Sequence, residues 1–207
     1  ESLAFESVLR KQDSTDTGGT VGWDTRLYCV SVTDCKMVYE GPNSSLIFMD
    51  CDDATCSSGT SSIVDGDVGC GLTGCDENRD TDSFSSYDKS IYCPTTSDCK
   101  IAYTRIDNGA LEHALNLADC DDATCSTGTI TLVDGNTSCS LTGCQNEDLG
   151  EAVSLHCPSA TDCKIAYYNF SESALYMGDC DNATCSSGTT TLLDGDTSCN
   201  LTGCNSS

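Results

Sequence analysis

"CDDATCSSGTSSIVDGD", Cys51 to Asp67, decides how this chain is organised, because it returns as "CDDATCSTGTITLVDGN" from Cys120 and as "CDNATCSSGTTTLLDGD" from Cys180. The repetition extends both ways. Upstream, "YCVSVTDCKMVY" (Tyr28 to Tyr39) recurs as "YCPTTSDCKIAY" (Tyr92 to Tyr103) and "HCPSATDCKIAY" (His156 to Tyr167). Downstream, "CGLTGC" from Cys70 recurs as "CSLTGC" from Cys139 and "CNLTGC" from Cys199. Cys29, Cys93 and Cys157 are successively 64 residues apart, and six cysteines per unit account for all 18. The chain is therefore three tandem units, residues 23–86, 87–150 and 151–207, behind a cysteine-free segment, 1–22.

Within the first unit, four short apolar stretches alternate with turn-formers. They predict strands at Arg26 to Cys29, Lys36 to Tyr39, Leu46 to Cys51 and Ser62 to Asp65. In the third of these, Leu46, Phe48 and Asp50 share one face, as do Leu115, Leu117 and Asp119, then Leu175, Met177 and Asp179. That period of two is the mark of a half-buried strand. Helical periodicity is absent over any useful length. The expectation is an all-β chain of three four-stranded antiparallel blades. The repeated pattern C-D-[DN]-A-T-C-S-[ST]-G-T…[VL]-D-G-[DN], preceded by a K-[IM]-[AV]-Y strand, resembles the tandem repeats of secreted cysteine-rich bacterial β-propeller-like proteins. More loosely, "SSGT" resembles the Asp-box turn of sialidase-type propellers. The resemblance implies blades around an axis. Closed propellers use about four to eight blades, so three units are not expected to close a ring alone.

Cysteine at this density points to disulfides in an oxidising, extracellular compartment. Zinc would call for tight Cys-x2-Cys knuckles and more than two histidines, and thiol redox chemistry also uses Cys-x2-Cys; the chain has none. Because the cysteines flank predicted turns, the expected pairs are local. They are Cys29–Cys35, Cys51–Cys56 and Cys70–Cys75; then Cys93–Cys99, Cys120–Cys125 and Cys139–Cys144; then Cys157–Cys163, Cys180–Cys185 and Cys199–Cys204. The chain opens at Glu1 without a basic-then-apolar leader and reads as a mature secreted product.

Six asparagines, Asn43, Asn136, Asn169, Asn182, Asn200 and Asn205, stand in Asn-x-Ser/Thr sequons within predicted turns or tails, so covalent N-glycans are expected. The acidic turns "DCDDATC" and "VDGDVG" offer clustered oxygens of the kind calcium takes, although no EF-hand spacing is present, and Asp50, Asp52 and Asp53 read equally as solvated turn residues. No metal site is assigned to particular residues; covalent N-glycans are expected and no cofactor, with calcium at these turns kept as an alternative. The Asp-Cys-Lys motifs (Asp34 and Lys36, Asp98 and Lys100, Asp162 and Lys164) read as structural salt bridges. His156 takes the place of Tyr28 and Tyr92 as a packing variant.

A net charge of −24 repels phosphate backbones and anionic membranes, and no apolar run is long enough to cross a bilayer. Nucleic acid and membrane insertion are thus not expected. No nucleophile–base–acid set is visible, and the chain is not expected to be an enzyme. Leu3, Phe5, Val8 and Leu9 of the N-terminal segment form a candidate strand that would order by adding to an open sheet edge. The expected function is therefore that of a secreted, glycosylated structural repeat protein. It would be the subunit of an extracellular fibril or surface assembly, self-associating through this arm. The alternative is a propeller-like lectin or adhesin for carbohydrate or a cationic ligand, using Tyr87, Tyr168 and Phe170 as exposed aromatics. A sialidase-like hydrolase is a distant third, because Arg10, Arg26, Arg79 and Arg105 are scattered along the sequence.

Overall fold

A computed structural model of the chain describes residues 22–42, 45–77, 88–106, 113–135, 138–145, 149 and 152–195. Within them the chain is all-β and each unit forms one four-stranded sheet in sequence order. The first holds β1 (Trp23–Ser31), β2 (Asp34–Glu40), β3 (Leu46–Cys51) and β4 (Gly59–Asp65). The second holds β5 (Lys89–Thr95), β6 (Asp98–Ile106), β7 (His113–Cys120) and β8 (Gly128–Asp134). The third holds β9 (Ser154–Ser159), β10 (Asp162–Asn169), β11 (Ala174–Cys180) and β12 (Gly188–Asp194). The candidate arm, with Leu3, Phe5, Val8 and Leu9, lies outside the described residues.

Within each sheet the described strands all pair antiparallel, and equivalent residues meet: Lys36 faces Asp50, Lys100 faces Asp119 and Lys164 faces Asp179. The register puts a cation opposite an anion on the same side as the apolar pairs Val38/Phe48 and Ala102/Leu117. Slipping the register by one residue would turn that whole set to the other face.

The sheets stack in a row, approaching most closely along β1, β5 and β9. Val38, Leu46, Phe48 and Val64 of the first sheet pack on Ile91, Ile101, Tyr103 and Ala118 of the second. The opposite face of the second sheet, with Ala102, Leu115, Leu117 and Val133, packs on Leu155, Ile165, Tyr167 and Tyr176 of the third. Among the described residues the first and third sheets share no core and no barrel is closed.

The half-buried strand expected from Leu46, Leu115 and Leu175 is realised differently in each unit. The middle sheet has a neighbour on both sides, so β7 is buried along almost its whole length. The third sheet is covered on one side only, and β10 and β11 keep a clean alternation that exposes Leu175. A strand alternates only where one of its faces meets water.

Successive sheets are also clipped at their outer edges. Thr73 donates its N–H to the Gly128 carbonyl at 2.9 Å and accepts from Ile130 N–H at 2.8 Å, a parallel bridge from the "GLTG" loop onto β8. Thr142 repeats it on Gly188 and Thr190 at 3.0 and 2.9 Å. These bridges use backbone groups that an outer strand otherwise leaves open.

Candidate functional site

Eight cysteine pairs lie at disulfide distance, all within single units: 29–35, 51–56, 70–75, 93–99, 120–125, 139–144, 157–163 and 180–185. Cys199 and Cys204 are outside the described residues. Cys29–Cys35 ties residues facing each other across β1 and β2, whereas Cys51–Cys56 closes the β3–β4 tip. In that tip the second of the two bridged cysteines, Cys56, Cys125 or Cys185, takes a left-handed backbone near φ +50°. A side chain is disfavoured there, and the bridge and the polar cage inside the tip hold it in place.

That cage is built on Asp53, Asp122 or Asn182. One Asp53 oxygen accepts from Thr55 N–H (2.8 Å), Thr55 Oγ1 (2.7 Å) and Ser57 N–H (3.2 Å). The other accepts from Ser57 Oγ (2.6 Å), Ser58 N–H (3.2 Å) and Ser58 Oγ (3.1 Å). Asp122 receives the same six donors from Thr124, Ser126 and Thr127. Donors from Ser57 and Thr55 hold the Asp53 carboxyl far below the usual range. Partial burial pushes Asp122 up, but hydrogen bonds from Thr124, Thr127 and Ser126 outweigh it and hold that carboxyl low as well. Six donors around one carboxylate make an anion's shell and use the lone pairs calcium would need; the tips expected as candidate calcium turns do not fit the ion at Asp53 or Asp122.

At Asn182 the same tip works with inverted polarity. Its oxygen accepts from Ser186 N–H at 3.0 Å, while its amide nitrogen donates to Ser186 Oγ and Ser187 Oγ at 3.0 and 2.8 Å. A sugar on that nitrogen replaces one of its two N–H groups and therefore one of these serine bonds.

Asn169 departs from expectation. It is the last residue of β10, not a turn residue, and it is fully buried; its amide nitrogen has no access to solvent and its oxygen accepts from Glu172 N–H at 3.1 Å. The sequon therefore sits at a buried strand end and not in the expected turn. Asn43, Asn136, Asn200 and Asn205 lie outside the described residues.

The Asp-Cys-Lys motifs are half of a larger cluster. Each lysine bridges the aspartate two residues earlier, at 2.8 Å for Asp34, 2.5 Å for Asp98 and 2.6 Å for Asp162, and also the cross-strand Asp50, Asp119 or Asp179. Burial pushes the Lys36 ammonium down, but its two carboxylates overcome this and raise it. Burial raises the Asp119 carboxyl despite Lys100 beside it. A second inter-sheet contact was not read from the sequence. Tyr103 Oη donates to Asp65 at 2.7 Å, joined there by Arg105 at 2.9 Å, and Tyr167 donates to Asp134. Burial and the Asp134 charge raise the Tyr167 phenol well above the ordinary value. Its signal was present: the Tyr of K-[IM]-[AV]-Y and the Asp of [VL]-D-G occur in all three units.

Along the inner strands Tyr28, Tyr92 and His156 form a ladder with ring centroids 4.9 and 4.8 Å apart, which gives the His156 substitution its place. Burial beside Tyr92 pushes the Tyr28 phenol up to about 12. Tyr168 and Phe170 meet edge-to-face at 6.2 Å, with Phe170 exposed; Tyr87 is outside the described residues. Asp134, Cys139 and Cys144 come within 4.8 Å of one another. The two sulfurs are bonded to each other, and Asp134 accepts from Tyr167, Gly135 N–H and Gln145 N–H. No ligand set for a metal remains there. Arg26 is paired with Asp24 and Asp88, and Arg105 with Asp65, so neither is available to an acidic sugar; Arg10 and Arg79 are outside the described residues.

Comparison with protein-family models and with curated protein sequences gave no match. The disulfide content is consistent with an extracellular protein, and no helix among the described residues is long and apolar enough to cross a membrane.

Proposed function

We propose that this chain is a secreted, N-glycosylated structural repeat protein, the subunit of an extracellular fibril or surface assembly in which residues 1–22 join neighbouring copies. One observation carries this reading. Every described bridge stiffens a turn or loop within one unit, and the sheets form an open row. That is the construction of an element that bears load and extends. Leu3, Phe5, Val8 and Leu9 supply the apolar side chains of an arm that adds to a neighbour's sheet edge. Asn182 and the sequons at Asn43, Asn136, Asn200 and Asn205 carry glycans. The kinship to secreted propeller-like repeats remains part of this proposal. Electron microscopy of native material is the test: filaments are expected, and isolated subunits persisting at high concentration would refute the reading.

A second reading, a lectin-like binding module, is favoured by the exposed Phe170 ring set against Tyr168. Aromatic faces of this kind stack on sugars. A glycan array decides it, with binding lost in Phe170→Ala.

A further inference from the structure

The chain makes the same interface twice, and the same halves are left over at its two ends. We infer that the outer face of the third sheet docks on the outer face of the first sheet of a second copy, reproducing the internal contact between successive sheets. This deepens the fibril reading and rests on its premise of self-association, but it places the contact on sheet faces as well as on the arm.

Consider first the face that each sheet turns toward its successor. Leu46 and Leu115 are 0% exposed, and their equivalent Leu175 is 40% exposed. Lys36 and Lys100 have side chains 3% and 2% exposed, and Lys164 36%. Asp50 and Asp119 are at 17% and 8%, and Asp179 at 44%. Residue types and cross-strand register are the same in all three sheets; what the third lacks is a covering sheet.

The face turned toward the predecessor shows the converse. Ile101 and Ile165 are fully buried and Met37 is half-buried; Tyr103 and Tyr167 are fully buried and Tyr39 is half-buried. Gly128 and Gly188, where the preceding unit's loop clips the sheet edge, are buried, while Gly59 is exposed. Asp65 and Asp134 each accept a hydroxyl from the tyrosine of the following sheet. Asp194 and Tyr39 are the corresponding residues left at opposite ends of the row.

The occupant is thus a second copy of this chain, because the missing partner of each face is displayed on the same molecule. Such a contact is heterologous and propagates head to tail, giving an open filament or a closed ring according to the rotation between copies. A chain of net charge −24 repels its copies, so association is expected to strengthen as added salt screens that repulsion.

Sedimentation velocity of the full chain, alone and as two single variants, tests the inference. Leu175→Arg removes the leading face and Met37→Arg the trailing face. The unaltered chain should associate with rising concentration, and each variant should lose about 30-fold or more in affinity. A mixture of the two should give a dimer of one copy of each and nothing larger, since each retains one competent face. That dimer also reports that both variants are folded; circular dichroism checks each alone, and Asp179→Arg on the exposed Asp179 serves as a second leading-face variant. If the variants assemble as readily as the unaltered chain while Phe5→Asp abolishes assembly, sheet-face docking is wrong and the arm-joined fibril stands. If the unaltered chain is monomeric at about 0.1 mM, both are wrong.

Discussion

Lys100→Met should cost far more stability than Lys164→Met, although the same Asp-Cys-Lys motif is changed. Lys100 is 2% exposed, between Asp98 and an Asp119 side chain at 8%. Removing the cation leaves Asp119 buried and uncompensated, in a site whose burial already raises its carboxyl. Truncating one partner of a buried pair costs about 3–5 kcal/mol. Protonating Asp119 instead caps the loss near 4 kcal/mol at pH 7, the work of protonating an ordinary carboxyl at that pH. The expected loss is therefore about 3 kcal/mol for Lys100, against about 0.5 kcal/mol for the exposed Lys164 cluster. In the Lys100 variant the folded Asp119 carboxyl sits above its unfolded value. The variant then gains relative stability as pH falls from 7 toward 4 and loses it as pH rises, by up to about 1.4 kcal/mol per pH unit. Urea unfolding with disulfides intact, on chain dilute enough to be monomeric, measures both variants at pH 7 and pH 5. Equal losses at Lys100 and Lys164, or no pH dependence at Lys100, would refute the reasoning.

Gly128→Ala should destabilise by about 2–4 kcal/mol in the same assay, because a Cβ there would lie 2.1 Å from the Asp119 carbonyl oxygen. Gly69→Ala should cost only the backbone strain of about 1–2 kcal/mol, since its φ is +95° but a Cβ would meet nothing. Asp122→Asn, which copies the tip at Asn182, should flatten the acid dependence of unfolding. The Asp122 carboxyl is held below its unfolded value. Its contribution is thus complete above pH about 4 and lost as pH falls through the folded value. An unchanged acid transition in the variant would show that the cage adds nothing.

Much of the architecture was legible in the sequence because it is local. A strand needs alternation, a tip needs its turn residues, and a bridge five or six residues long needs only the turn it closes. The three repeated stretches, around Tyr28–Tyr39, Cys51–Asp67 and Cys70–Cys75 and their equivalents, therefore located twelve strands and eight bridges among the described residues. The cage around Asp53 was half legible: acid, threonine and serines were in view, but not that all their donors converge on one carboxylate. Asn169 was read as a turn residue because its sequon says nothing of depth; it ends β10, is bridged by Leu149 and is buried.

What the sequence determined alone is the unit: four strands and their closed tips, each set by alternation and turn residues a few positions apart, whereas the register that sets Lys36 against Asp50 and Lys100 against Asp119 came with the structure. What only the tertiary structure decided is the value of each position within the row. Leu46, Leu115 and Leu175 are one residue in sequence terms, yet two are sealed and one is open to water. The reason is that burial belongs to the pair of sheets in contact, and a chain of three sheets has two such contacts and two ends.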